Sequence, residues 1–291
     1  FMSEFFFCSN LNSIDKNSWN NCIGNDHPFL QHEFLNALEK SGSATIKTGW
    51  KPHHYIEKDK QEIIAICPLY IKNHSFGEYI FDHAWADAYH KYGLNYYPKL
   101  QSAIPFTPVT GDRIIINKKV KNKNEKETEI MRNIISEAKR INVSSLHFNF
   151  IKNPNKWKNN NEIMIRSGVQ FHWHNNNYKN FEDFLQTLSS RKRKLIKKER
   201  QCIKDNNLNV RLLSGDLIKE EHLNFFYDCY LDTTGRKWGS TYLTKNFFKE
   251  LLKNFKDKIL LIVAFHEDTM VASAINFISK SHLYGRLWGS K

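Results

Sequence analysis

The sequence predicts an α/β (α+β) protein made of two related halves, each a mixed, mostly antiparallel sheet flanked by helices. Helix-like apolar spacing alternates with short strand-like runs along 291 residues, a length sufficient for two domains. The run 64–71 is also echoed by the run 271–278, at an offset of 271 − 64 = 207. An echo of this kind, with a helix, a strand and a polar turn before each run, indicates an internal duplication.

In the first half, apolar residues within 28–38 recur at three- and four-residue spacing and predict a helix. Strands are predicted at 53–57 and 63–72, joined by the polar turn 58–61. The remaining predicted elements are a strand, a charged connector, a helix and a strand, at 78–82, 117–127, 129–140 and 146–151.

The second half is predicted to begin near Ser167, with a strand at 170–174 and a long helix over 181–205. Two helices and three strands follow, at 218–232, 243–255, 259–265, 270–278 and 282–288. At the offset of 207, Tyr79 meets Arg286, so the strands that follow the two hairpins are expected to correspond.

The formal net charge is +13, from 43 Lys and Arg against 30 Asp and Glu. Lysine and asparagine are abundant even in predicted loops, so much of this charge is background composition. A chain of this charge attracts anions in general, including phosphates, nucleotides, RNA and acidic membrane surfaces.

Cysteine usage and hydropathy indicate a cytoplasmic protein. The five cysteines form no C-x-x-C pair and are expected to be free thiols: Cys8, Cys22, Cys67, Cys202 and Cys229. The start of the chain lacks the pattern of a secretory signal. The longest apolar run, 259–265, has seven residues, against the ~20 that a transmembrane helix requires.

Strings of uncommon residues in a fixed order carry a family resemblance. They lie at 27–30, 39–43, 48–52, 77–79, 81–89, 96–100, 105–111, 170–173, 189–194, 236–239 and 283–286. Through them the chain, from about Trp19 to Gly289, resembles the FemAB-like group of the GNAT (acyl-CoA N-acyltransferase) superfamily, described as peptidoglycan biosynthesis or recognition proteins.

The resemblance implies two tandem GNAT-like domains, at 1–166 and 167–291. Members of the family continue beyond the strand at 283–288, so we expect the second domain to be incomplete and the chain to be C-terminally truncated. Related Fem peptidyltransferases move amino acids from aminoacyl-tRNA to cell-wall precursors. The resemblance therefore implies N-acyl transfer, with acyl-CoA or aminoacyl-tRNA as donor, no covalently bound cofactor and an anionic cell-wall precursor as acceptor.

A GNAT fold usually holds the pyrophosphate of its acyl carrier on a glycine-rich turn at a helix N-terminus. No such turn follows Phe81, where 82–87 contains two carboxylates and no glycine. The equivalent turn of the second half would lie at Gly289. The first half is therefore expected to bind no coenzyme A in the usual manner.

Candidate catalytic residues gather at 81–89, beside Trp85. Asp82, His83 and Asp87 offer acids and a base, and Asp82 or His83 is the expected proton acceptor from an attacking amine. The alternative is a structural turn capped by Trp85. Tyr284 is a candidate proton donor to the leaving group, the alternative being a tyrosine at the edge of the core.

Substrate-binding candidates combine cations with aromatic rings. They are Trp85, Tyr89, Lys99, Arg191, Lys192, Arg193, Lys194, Arg236, Lys237, Trp238 and Arg286. Four cations in the first turn of a helix after two serines oppose the helix dipole, which an anionic ligand would offset. The alternatives are a solvated helix face continuous from Phe181 and, for the strings around Arg236, a plain helix end.

Three classes of function remain open at this stage. The leading prediction is an N-acyltransferase acting on an amine of a peptidoglycan precursor. The second is a non-catalytic module that recognises such precursors or another anionic glycan, and the third is an RNA-binding protein, with tRNA among the expected partners. His172 and His174 share a strand face but lack a third ligand at useful spacing, so no metal site is predicted.

Overall fold

The fold is described from a computed structural model, which covers residues 3–24, 27–158, 160, 162–237 and 239–291. In the first half the helices and strands are β1 (Glu4–Cys8), α1 (Lys16–Ile23), α2 (His32–Lys40), β2 (Trp50–Pro52), β3 (His54–Asp59), β4 (Glu62–Cys67), β5 (Tyr70–Lys72), α3 (His83–Lys91), β6 (Lys99–Ser102), β7 (Ile115–Ile116), α4 (Lys123–Arg140) and β8 (Leu146–Phe148). In the second half they are α5 (Phe181–Gln186), α6 (Ser190–Asp205), β9 (Leu208–Ser214), α7 (Glu220–Arg236), α8 (Lys245–Phe255), β10 (Ile259–His266), β11 (Thr269–Ile278) and β12 (Leu283–Ser290).

Local sequence signals set several helix ends. The Asp15 carboxylate accepts a hydrogen bond from the backbone N–H of Ser18 at 2.8 Å and caps α1. Gly24 ends the same helix with a φ of +62°, a left-handed conformation that glycine adopts without steric cost. The Thr244 hydroxyl caps α8 in the same way as Asp15 caps α1.

The strands form three four-stranded sheets, in the orders β1-β3-β4-β7, β2-β5-β6-β8 and β12-β11-β10-β9. Every named pairing is antiparallel except β6 with β8. The first two sheets are connected by two short interruptions in otherwise continuous strands. His53 separates β2 from β3, and the break that begins at Pro68 separates β4 from β5. The bond from the His53 N–H to the Leu69 carbonyl, 2.9 Å, bridges the two breaks.

The strand order repeats between the halves. β1, β3 and β4 are antiparallel neighbours, and so are β9, β10 and β11. In both halves two helices lie between the first and second strands of this trio. The mixed α/β architecture with mostly antiparallel sheets is therefore confirmed, whereas the division into domains at 1–166 and 167–291 stays a prediction that the repeat supports.

Two predicted strands are wrong. Residues 78–82 form a loop that leads into α3, so Tyr79 does not correspond to Arg286 on a strand. Residues 170–174 are exposed and pair with no strand among the described residues. The segment 170–174 alternates apolar and polar side chains and the segment 78–82 contains three consecutive apolar ones, but a strand also requires a neighbour with which to pair.

Two predicted boundaries also need correction. The connector predicted at 117–127 is helical from Lys123, because its charged residues continue into the solvent face of α4. The helix predicted over 181–205 is two helices, α5 and α6, separated at 187–189. The basic residues that follow are largely exposed, as the solvated-face alternative expects, but they lie on a helix of their own and not on a face continuous from Phe181.

One hydrophobic core spans both halves. Phe29 and Phe34 of the first half pack edge to face against Phe277, with ring centroids 5.1 and 5.4 Å apart. Phe34 also packs on Phe247 of α8, at 5.6 Å. Because rings from the two halves fill one core, the halves meet along a fixed seam. Among the described residues, no helix is both long and apolar enough to cross a bilayer.

The five cysteines are free, and Cys202 of α6 alone among them is exposed. Burial raises the pKa of Cys22 and of Cys67 to about 12, so their reactive thiolate forms are scarce at neutral pH. We expect one thiol per native chain to react rapidly with a disulfide reagent and the others only after unfolding. A Cys202→Ser variant that kept the rapid phase would contradict this assignment.

Candidate functional site

A cleft with a volume of about 200 Å³ lies at the seam between the halves. Its walls combine hydroxyl groups and rings from both halves: Ser43, Thr48, His74, Phe76, Phe106, Ser240, Thr241 and Tyr242. The rings of Phe106 and Tyr242 stack nearly parallel, with centroids 5.1 Å apart and planes inclined by 10°. Such a cleft suits a ligand with apolar faces and hydrogen-bonding edges.

Two aromatic residues with a strained backbone conformation, Phe106 and Tyr79, lie at or near this seam cleft. Phe106 and Tyr79 both have a φ of +58°, a left-handed conformation that bulky side chains rarely adopt. Gly77 also has a positive φ, and a Cβ atom on it would lie 2.5 Å from the Phe106 ring. Strained residues of this kind cost about 1–3 kcal/mol each and cluster at functional sites. The packing that maintains them holds the Phe106 wall in one position.

Arg286 of β12 ties the second half to this wall. Its guanidinium donates a hydrogen bond to the Phe106 carbonyl and another, at 3.5 Å, to the Thr107 hydroxyl. Burial lowers the pKa of Arg286, and a hydrogen bond with Tyr79 acts in the opposite direction. The structure thus places this predicted substrate-binding residue in contacts with the protein's own segment 105–107, next to the cleft.

A buried group of charges lies behind the wall formed by Phe76. The Lys99 ammonium contacts the Glu78 carboxylate at 2.8 Å and the Asp82 carboxylate at 2.6 Å. Lys72 lies with its Nζ atom 3.7 Å from the centre of the Trp50 ring and donates to the Gly49 carbonyl at 3.0 Å. All four charged side chains are almost completely shielded from solvent. Buried charges of this kind require their partners.

The buried environment shifts the pKa values of these charged groups in different directions. Burial alone would raise the pKa of Asp82, but hydrogen bonds from Lys99, Ser75 and Tyr96 outweigh it and lower that pKa to about 2. Burial raises the pKa of Glu78, although Lys99 opposes this change. Burial also lowers the pKa of Lys72 to about 7. Asp82 is therefore a permanently ionised partner of Lys99 and a weak proton acceptor.

The predicted group at 81–89 is divided by the structure. Asp82 precedes α3 and points into the buried charges, whereas His83 and Asp87 lie on the exposed surface of α3. Tyr89 packs against Tyr96 at 5.2 Å, and the Trp85 ring lies 6.5 Å from His147. The structure thus brings Asp82 together with Lys99 and leaves His83 accessible to solvent.

Tyr284 belongs to a different aromatic group. Its ring contacts Phe29 at 5.1 Å, His27 at 5.8 Å and His282 at 5.6 Å. It is partly buried against the shared core. The structure therefore places it at the edge of that core, as the structural alternative expects.

The basic residues of α6 lie at the start of a largely exposed helix. Arg191, Lys192 and Lys194 are exposed, while Arg193 donates a hydrogen bond to the Gln186 side chain. Ser189 occupies the N-cap position, yet its hydroxyl makes no capping hydrogen bond. The amides of this first turn are thus not satisfied by a capping side chain, which is compatible with an anionic ligand.

The last predicted group follows α7. Arg236 pairs with Asp232 one turn earlier, at 2.6 Å, and Lys237 lies directly after the helix. Trp238 falls outside the described residues. The pairing of Arg236 within its own helix agrees with the alternative of a plain helix end.

Four residues of this region were not predicted from the sequence to be functional: Lys72, Glu78, Phe106 and Tyr242. A signal existed for Lys72, because strand alternation places it on the same buried face as Tyr70. For Phe106 and Tyr242 no local pattern shows that two residues so distant in the chain stack together. Across the part of the chain that is described, no three His, Cys, Asp or Glu side chains form a metal-binding group.

Comparisons with known proteins identify a family and distant structural likenesses. The sequence model of the FemAB-like family, described as peptidoglycan biosynthesis/recognition, matches residues 10–291. A search of curated proteins gives no match. The solved structures that match include L-PGS from Bacillus licheniformis, with 10% identity, a TM-score of 0.43 and coverage of 89% of this chain. This chain spans 65% of the length of that structure.

Proposed function

The chain belongs to the FemAB-like family of peptidoglycan biosynthesis/recognition proteins, and from this premise we propose that it transfers an acyl or aminoacyl group to an amine of a peptidoglycan precursor. The observation that carries the proposal is the seam cleft, whose walls come from both halves. A transfer reaction brings the reacting groups of two substrates together, and a cleft whose walls come from two tightly packed halves can hold these groups in a fixed geometry.

In this reaction the amine nitrogen attacks the carbonyl carbon of the donor. A C–N bond forms, the C–O or C–S bond to the carrier breaks, and the amine loses a proton. The rings of Phe76, Phe106 and Tyr242 would exclude water from the activated carbonyl, because water would otherwise hydrolyse it. The hydroxyl groups of Ser43, Thr48, Ser240 and Thr241 offer hydrogen bonds that orient the substrates.

We assign the proton-accepting role to His83 rather than to Asp82. Asp82 is held by Lys99 with a pKa of about 2, so it accepts a proton poorly at neutral pH. His74 lines the cleft, but its ring already accepts a hydrogen bond from the Phe76 N–H and is hydrogen-bonded to the Thr48 backbone, so both interactions compete with a substrate amine. His83 is exposed at the start of α3, on the same loop as Phe76.

Replacing His83 by alanine should lower kcat about 10²-fold with little change in KM, because general base catalysis is typically worth 10²–10⁴-fold. His90→Ala, on the same exposed helix, is the matched control. The measurement is single-turnover transfer of labelled acyl or aminoacyl groups to a UDP-linked muropeptide. A folded His83→Ala protein with full activity would reject this assignment.

Tyr242→Ala should weaken acceptor binding about tenfold, because it removes a ring stacked on Phe106 at the cleft. Tyr92→Ala, which removes a largely exposed ring, is the control. Binding is measured by the thermal shift that UDP-linked muropeptide, coenzyme A thioesters and tRNA each produce. Equal shifts for Tyr242→Ala and the native chain would remove the cleft from the proposal.

A non-catalytic recognition module is the second candidate. One observation favours it: the segment that follows Phe81 enters α3 without a glycine-rich turn that could bind a phosphate. Muropeptide binding without transfer from either coenzyme A thioesters or aminoacyl-tRNA would establish this second function.

The exposed cations Arg191, Lys192 and Lys194 provide the surface at which a phosphate-bearing carrier is proposed to bind.

A further inference from the structure

Residues 73–98 form a loop that connects β5 to β6. A lysine lies at each end of this loop, because β5 ends at Lys72 and β6 begins at Lys99. Lys72 and Lys99 stand directly opposite each other in this antiparallel pair. Both side chains are fully buried. Like charges opposite each other on adjacent strands repel, and burial makes an uncompensated charge far more costly. An anionic partner therefore stabilises this lysine pair in its charged form.

The loop itself supplies that partner. The Glu78 carboxylate bridges the pair, with Oε1 at 3.8 Å from the Lys72 ammonium and Oε2 at 2.8 Å from the Lys99 ammonium. Asp82 adds a second carboxylate, 2.6 Å from Lys99. With its amide nitrogen turned toward Glu78, Gln101 of β6 also donates to Oε2 at 2.9 Å. The strands thus present cations and an amide, and a planar carboxylate occupies the site between them.

Apart from these charges, the loop is held mainly by hydrogen bonds to its backbone, from the Trp50 indole to the Phe76 carbonyl at 3.2 Å and from the Phe106 N–H to the Gly77 carbonyl at 3.1 Å. Its helix, α3, buries none of its side chains. Tyr96 is buried and donates a hydrogen bond to Asp82 at 2.7 Å, so this anchor also depends on the charged group. Segments with few buried apolar contacts open at a low cost in free energy. Because Phe76 lies on the same loop, opening would also widen the seam cleft.

We propose that the lysine pair is a binding site for a carboxylate of an acidic ligand, which the loop 73–98 closes by inserting the Glu78 carboxylate. The ligand's carboxylate takes the position of Glu78 between Lys72 and Lys99 when the loop opens. In the native protein the site is thus occupied by the protein's own Glu78 carboxylate. This inference goes beyond the proposed transfer reaction, because it concerns binding and loop opening, which are measured without turnover.

The test uses the full chain with Glu78 replaced by alanine, which removes one carboxylate and leaves room for an acetate ion. Amide hydrogen exchange over 73–98 should become about tenfold faster, because Lys72 and Lys99 lose the carboxylate that bridges them. Acetate at about 0.1 M should restore slow exchange, whereas chloride at the same ionic strength should not. Glu62→Ala, which removes an exposed glutamate paired with Lys119, should leave the exchange of 73–98 unchanged.

A second variant keeps the proposal testable if Glu78→Ala does not fold. Glu78→Gln preserves the shape of the side chain and removes only the charge, so its loop should exchange faster than the native one without responding to acetate, since the amide still fills the site. Native exchange rates over 73–98 in the folded variants would overturn the proposal. Closure of the Glu78→Ala loop by inorganic phosphate but not by acetate would likewise overturn the assignment to a carboxylate.

Discussion

Replacing Lys99 by methionine is expected to lower the free energy of unfolding by about 3–5 kcal/mol, because it leaves Glu78 and Asp82 buried without their shared cation. Methionine is close to lysine in volume, so the loss reports the charge rather than a cavity. The measurement is urea denaturation followed by circular dichroism. Lys119→Met is the matched control, since its pair with Glu62 is 75% and 48% exposed and should change stability by less than about 1 kcal/mol.

The same variant has a characteristic dependence on pH. In the native protein the pKa of Asp82 is lowered from 3.8 to about 2, so its contribution to stability is complete above pH 3.8 and is lost as the pH falls toward 2. Without Lys99, Asp82 is more stable when protonated, and the deficit of the variant should therefore shrink in acid. A deficit equal to that of Lys119→Met, or one independent of pH, would contradict the role given to this buried ion pair.

Replacing Phe34 by alanine is expected to cost about 3–5 kcal/mol, the usual range for removing a buried phenylalanine. The Phe34 ring lies on α2 of the first half but contacts Phe247 and Phe277 of the second, at 5.6 and 5.4 Å. Both halves should therefore lose structure in one transition, at a lower urea concentration than in the native chain. Hydrogen exchange of β3 and β10 measured through the transition tests this coupling.

The control for the core is Phe171→Ala, because the Phe171 ring is 98% exposed and its loss should change stability by less than about 0.5 kcal/mol. Two separate transitions, with only the first half affected by Phe34→Ala, would show that the seam contributes little to stability. That result would also weaken the seam cleft as a rigid site, because its two walls would then move independently.

The elements predicted correctly are those with a strong local pattern. The three strands at 259–265, 270–278 and 282–288 appear as β10, β11 and β12, and their buried apolar residues pack into the core that both halves share. The helix α8 likewise buries Phe247, Phe248 and Leu251 on one face. In contrast, α3 was not predicted as a helix, although Ala84, Trp85, Ala88 and Tyr89 recur at helical spacing, and the folded protein buries none of its side chains.

The site was predicted only in part, for a related reason. Asp82 and Lys99 were identified as functional candidates, yet as an acid–base group and a ligand contact rather than as partners of each other. Their contact at 2.6 Å depends on the way the loop folds back over β6. The apolar alternation at 170–174 predicted a strand for which the described fold provides no pairing partner.

By itself, the sequence determined the local elements with a clear period, the α/β class and the family, because these depend on neighbouring residues and on strings of residues in order. Only the tertiary structure decided that Lys72 and Lys99 face each other, that Glu78 lies between them, and that Phe106 stacks on Tyr242 across the seam. The physical reason is that such contacts join residues far apart in the chain, and their geometry depends on strand register and on the packing of the two halves.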